Sequence, residues 1–228
     1  MSFDTIQKFI KNKRNTVQSD YHARVGREWR ILGEPDKLHA PLSYSAFEFR
    51  IAMERCLLEL LYLIKNKSLS DKELKYDIAQ IKKALYKSQG PANTGKNKLT
   101  RRMNFNSIYQ KNVGSQMGWP KNPIAIVDVD KVVRFWNNLS KYCHRQLNAE
   151  NTWGNPSWVN NGYELLNEIE IYIWEIMVNK SVGWLEPDSL PSEIQKLASD
   201  YVEEKIDETS LDIRLRIMLP TLQMQNQL

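Results

Sequence analysis

The chain reads as all-α, a helical bundle of about six to eight helices interrupted by one long, basic, irregular insertion. Three observations predict this. Apolar residues recur at steps of three and four through most segments. No stretch alternates as a sheet strand does, and IAIVDV at 124–129 is too short and isolated to carry one. No pattern returns at a fixed period. With 228 residues, 42% of them hydrophobic and 26% charged, the chain has ordinary globular proportions and can bury a full core.

Taken in order, Phe3, Ile6, Phe9, Ile10 and Val17 make a short amphipathic helix with a basic outer face. Tyr21, Val25, Trp29 and Leu32 form the stripe of a second helix over 19–32, broken by Gly33-Glu34-Pro35-Asp36. Ser45-Ala46-Phe47-Glu48 matches a capping box and opens the longest helix, whose wide apolar band runs from Phe47 to Ile64. Arg50 and Glu54, like Arg55 and Glu59, are spaced to pair along its surface. Ser70-Asp71-Lys72-Glu73 is a second capping box, opening a helix to about Ser88 with Leu74, Ile78, Ile81 and Leu85 on one face. Residues 90–124 then lose any sustained period amid Gly90-Pro91, Gly95, Gly114, Gly118 and Trp119-Pro120, so this stretch is the irregular insertion, with a short helix over 104–111.

Residues 128–150 form the organising helix. Val132, Trp136, Leu139, Cys143 and Leu147 make its apolar stripe, and Asn137, Lys141, His144 and Asn148 a polar stripe beside it. After a turn-rich break at 151–156, long helical patterns cover 157–179 and 192–208. A last turn or two over 211–219 stops at Pro220. The organisation is an N-terminal helical segment (1–42), a helical core (43–180) containing the basic insertion (90–124), and an acidic helical appendage (181–228).

The net charge of +5 is unevenly spread. Residues 78–127 hold no Asp or Glu, yet carry Lys82, Lys83, Lys87, Lys96, Lys98, Arg101, Arg102, Lys111 and Lys121; residues 186–212 hold nine acids against Lys196 and Lys205. Either a polyanion meets the basic part and a protein the acidic part, or the two segments neutralise each other within the fold. Lys96, Lys98, Arg101, Arg102 and Lys111, interleaved with Phe105, Tyr109 and Trp119, suit single-stranded nucleic acid, where aromatic faces stack bases and cations meet phosphates.

Other chemistries find little support. Cys56 and Cys143 lie inside apolar patterns, which argues against a disulfide and for a reducing cytoplasm. No apolar run is long enough to span a bilayer, and the N-terminus lacks a secretory core. GPANTGKNK has Asn97 where a phosphate loop needs Ser or Thr. His22 and His39 read as surface or loop histidines, and adjacent Cys143 and His144 point about 100° apart, so no metal and no cofactor is expected.

A long helix of the type YSAFEFRIAMERCLLELLYLI, a variable connection, then WNNLSKYCH and another long helix resemble the HEPN family of helical bundles over 43–177. The resemblance implies a metal-independent RNase, with an Arg, four to six variable residues and then a His, and two such helices meeting across a homodimer. His144 stands at the histidine position; Asn137, Asn138 and Leu139 stand where the arginine would, Arg134 lies further upstream and Arg145 follows instead. On that pattern the expected site is His144 as base or acid, Lys141 and Arg145 on phosphate, and Asn137 and Asn138 as orienting groups. The alternative is a non-catalytic helical adaptor that binds nucleic acid, RNA before DNA, or docks a protein through its acidic C-terminal helices.

Overall fold

The computed structural model describes residues 17–117, 124–143, 155–177, 184–185 and 187–225. Among these the chain is helical, with no sheet. Its helices are α1 (Val17–Gly33), α2 (His39–Ile64), α3 (Ile78–Ser88), α4 (Ala92–Met117), α5 (Val129–Cys143), α6 (Pro156–Met177), α7 (Ser192–Val202) and α8 (Glu208–Gln225), with short 3₁₀ turns at Glu73–Lys75 and Pro187–Ser189. The expected first helix, over 3–18, falls almost wholly outside the described residues.

α1 and α2 form a close hairpin. Gly26 permits the approach, since a Cβ there would sit 2.7 Å from the Phe49 ring. Beside it the Ser45 hydroxyl donates to the Gly26 carbonyl at 2.7 Å. Ser45 therefore lies inside α2 and caps nothing. The helix already begins at His39, with Pro41 in the first turn, where a missing N–H costs no intrahelical bond. His22 also departs from expectation: it is buried between α1 and α2, with Nδ1 2.5 Å from Glu48. Nearby, burial pushes the Glu59 carboxyl up to about 8 against hydrogen bonds from the Ser19 hydroxyl and amide.

The Ser70–Glu73 box does close, with the Ser70 amide on Glu73 at 2.9 Å and the Glu73 amide on the Ser70 hydroxyl at 3.3 Å. It starts only a 3₁₀ turn. The reciprocal pair of Asp77 and Gln80 caps α3 instead.

The stretch expected to be irregular is α4, a 26-residue helix. Glycine and proline hid it. Gly90 and Pro91 precede its first turn, and Gly95 sits where a Cβ would strike the Tyr86 carbonyl, so it permits the crossing of α3 and α4. Its buried side, Gly95, Leu99, Met103 and Asn106, keeps helical spacing but includes a glycine and an amide, which dilutes the apolar signal.

Two cores result. The larger joins Phe49, Met53, Leu57 and Leu61 of α2 to Ile81 and Leu85 of α3, Leu99 and Met103 of α4, Phe135 and Leu139 of α5, and Leu166 and Ile173 of α6. The smaller gathers Ile194, Leu197 and Tyr201 of α7 and Leu211 and Leu215 of α8 around Phe105. Each such side chain, fully buried, stabilises by about 1.5–3 kcal/mol. α4 thus gives its N-terminal half to one core and its C-terminal half to the other. α7 ends at Val202, earlier than expected, where Glu204 takes a positive φ. α8 continues through Pro220 instead of stopping there.

Candidate nucleic-acid interface

The expected chemistry lies at the C-terminal end of α5. Val132, Phe135, Leu139 and Tyr142 are buried at steps of three and four, with Trp136 and Cys143 half-buried at the edge facing α2. That spacing turns the opposite side outward. Arg134, Asn137, Asn138 and Lys141 are all exposed. Residues 131–143 include no Asp or Glu. None of the four outward side chains has an ion pair or hydrogen bond among the described residues; the Lys141 ammonium rests 5.0 Å from the Tyr142 ring centroid. His144 and Arg145, the expected base and second phosphate contact, lie outside the described residues.

Sequence spacing paired Arg50 with Glu54. Among the described residues Arg50 forms no ion pair. Its guanidinium stacks 3.8 Å from the Trp136 ring centroid. Arg50 Nε and Trp136 Nε1 are enclosed without a hydrogen-bond partner. Burial raises the Cys143 thiol, and a hydrogen bond from Arg50 partly offsets that. Burial also raises the Glu54 carboxyl, against the pull of Arg50 and Arg55. So a half-buried cation lies against the edge of α5, supplied by α2, where no spacing rule within α5 could find it.

The other expected surface has a different fate. The Lys96 ammonium pairs with Asp130, which also takes Lys82 at 2.7 Å and the Tyr86 hydroxyl at 2.9 Å. Lys98 pairs with Glu203 at 2.7 Å. Arg101 donates to the Tyr201 and Ile206 carbonyls at 2.7 and 3.0 Å and lies 4.2 Å from the Tyr201 ring centroid. Arg102 is half-buried, its guanidinium pushed down by burial against the pull of Asp188. Phe105 is sealed in the smaller core, and the half-buried Tyr109 stacks on it with centroids 5.9 Å apart. Lys111 remains exposed, and Trp119 lies outside the described residues.

Of the two outcomes the charge map left open, the structure brings the basic and acidic segments together, through Lys98–Glu203, Arg101 and the bond from Asn112 to Asp212 at 2.9 Å. Among the described residues no cluster of His, Cys, Asp and Glu is arranged for a metal, and no helix is long and apolar enough to cross a membrane. Comparison with protein-family models, curated proteins and solved structures finds no match for this chain.

Proposed function

We propose that this chain is a cytoplasmic, HEPN-like helical protein that engages RNA along the outer face of α5, and that metal-independent RNA cleavage is the chemistry of that face. The observation that carries the reading is the unopposed row of Arg134, Asn137, Asn138 and Lys141, two cations and two amides without a carboxylate in their stretch of helix. Cations free of internal partners contribute to polyanion binding, because each phosphate neutralised releases counterions. Amides beside them supply hydrogen bonds to phosphate and sugar oxygens.

The cleavage step follows from the residue types. His144 takes the proton from a ribose 2′-hydroxyl, whose oxygen attacks the adjacent phosphorus. The bond to the 5′-oxygen breaks, that oxygen takes its proton from the imidazolium of His144, and a 2′,3′-cyclic phosphate remains. Lys141 and Arg145 hold the charge that builds on the phosphoryl oxygens, and Asn137 and Asn138 orient the strand.

Two measurements test this. Changing Arg134→Glu and Lys141→Glu together is expected to weaken single-stranded RNA binding by about tenfold or more and to flatten the salt dependence by roughly 1.4 in slope. Unchanged affinity would remove α5 from the reading. RNA cleavage in EDTA is expected from the wild type and lost in His144→Ala. Equal rates from both, or none from either with binding intact, would leave the non-catalytic adaptor.

A further inference from the structure

Along α8 the buried and the outward sides separate cleanly. Leu211, Leu215 and Leu219, at steps of four, close the smaller core. Half a turn round from them, Ile213 and Ile217 are 52% and 68% exposed, and Pro220 is exposed one turn further on. Positions 213, 217 and 220 recur at steps of four and three, so one apolar ridge runs along the outside of the helix. The buried leucines hold that ridge outward. Isolated surface isoleucines need no explanation, but a ridge on successive turns of a fixed helix is a surface that a partner can cover.

The charges beside the ridge say what fits it. Helical spacing puts Arg214 on one flank and Arg216 on the other, and both are exposed. Residues 213–228 hold no Asp or Glu. Asp212, the acid just before the ridge, is already engaged. It accepts from Asn112 of α4 at 2.9 Å and pairs with Arg216 at 2.6 Å, and Asn112, Arg216 and Lys111 hold its carboxyl below the usual range. Arg214 has no ion pair among the described residues. The rim of the ridge is therefore cationic, where the sequence alone pointed to docking through acids.

We propose that this ridge docks an acidic amphipathic helix of a partner protein, its apolar side on Ile213, Ile217 and Pro220 and its carboxylates on Arg214 and Arg216. Ridge residues one turn apart match the spacing at which a second helix presents its own side chains. RNA fits poorly, since isoleucine offers no flat face on which a base can stack. A membrane surface fits poorly as well, because interfacial helices bury a broad face rich in Trp, Phe and Leu, and this ridge is narrow. The two arginines decide which helix is accepted: a basic one is repelled on both flanks, an acidic one is paired on both. This surface belongs to the smaller core, is separate from the α5 face and does not depend on the RNA reading.

The test is fluorescence anisotropy of two labelled helical peptides titrated with the full-length chain. Both carry a Leu stripe at steps of three and four; Glu flanks the stripe in one and Lys in the other. The acidic peptide is expected to bind about tenfold or more tighter than the basic one. Ile213→Ser/Ile217→Ser is expected to weaken it by about tenfold or more, with helical circular dichroism retained because both isoleucines are exposed. Arg214→Glu/Arg216→Glu is expected to invert the preference, so that the basic peptide binds the tighter. No binding of the acidic peptide, equal binding of both, indifference to the isoleucine pair, or a preference left standing by the arginine exchange would overturn the proposal. Phosphatidylserine vesicles, or a second copy of the chain, held by the wild type and released by Ile213→Ser/Ile217→Ser would overturn it too, by giving the ridge to another occupant.

Discussion

On α4, Lys98 reaches Glu203, Arg101 holds two carbonyls beside the end of α7, and Lys96 joins Lys82 and Tyr86 around Asp130. On α5, Arg134 and Lys141 extend outward with no such partners among the described residues. In sequence α4 is the more persuasive polyanion binder, because it holds more cations with aromatics among them. In space its cations fasten the smaller core to the larger one. Cation density along a chain therefore measures potential for charge pairing, and the fold decides whether the partner is internal. Glu203, which answers Lys98, lies 105 positions downstream, so that pairing depends on tertiary contact alone.

The contrast is broken most severely at Phe105. If α4 is a structural strut, Phe105→Ala leaves a cavity in the smaller core and destabilises by about 3–5 kcal/mol. Urea unfolding would register this, while RNA affinity of the folded protein stays at the wild-type value. A stable variant with weakened RNA binding would instead make Phe105 a base-stacking residue. Next in size is Arg101→Met, which removes two charge-assisted bonds to carbonyls and the contact with the Tyr201 ring, a loss of about 2 kcal/mol. Faster amide exchange in α7 and α8, with RNA affinity held, is the expected signature.

Much of this architecture was legible, and the failures have physical causes. α5 and α6 were read from apolar spacing because their buried positions are filled by Val, Leu, Ile and aromatic residues. α4 escaped because Gly95 and Asn106 occupy buried positions, where close approach and an enclosed amide replace apolar bulk. The α1 stripe keeps its helical spacing, yet Tyr21 and Leu32 are exposed: a helix lying on a close-packed glycine turns its small residues inward, so these large residues point out. Asn137 and Lys141, which share the polar stripe beside the apolar one, are exposed on α5, since a polar residue one position off an apolar stripe has few alternatives. Arg50 could not be found as a neighbour of that helix, because its partner ring is Trp136, far along the chain.

The smallest effect sharpens the comparison at the point where α4 and α5 meet. Burial alone would raise the Asp130 carboxyl, but hydrogen bonds from Lys82, Lys96 and Tyr86 outweigh it and hold the group well below the usual carboxylate range. A depressed folded value means the contribution is fully present above about pH 4 and is lost as pH falls through the depressed value. Wild-type stability is therefore expected to decline more steeply than that of Asp130→Asn between about pH 4 and acid unfolding. Thermal melts in a pH series would measure the difference. The same variant releases Lys82 and Lys96 beside the first turn of α5, and RNA affinity at neutral pH is expected to stay unchanged if those lysines serve only the fold. A several-fold rise would mean that Asp130 holds two phosphate-binding lysines in check, and the division between a structural α4 and a binding α5 would have to be redrawn around that carboxylate.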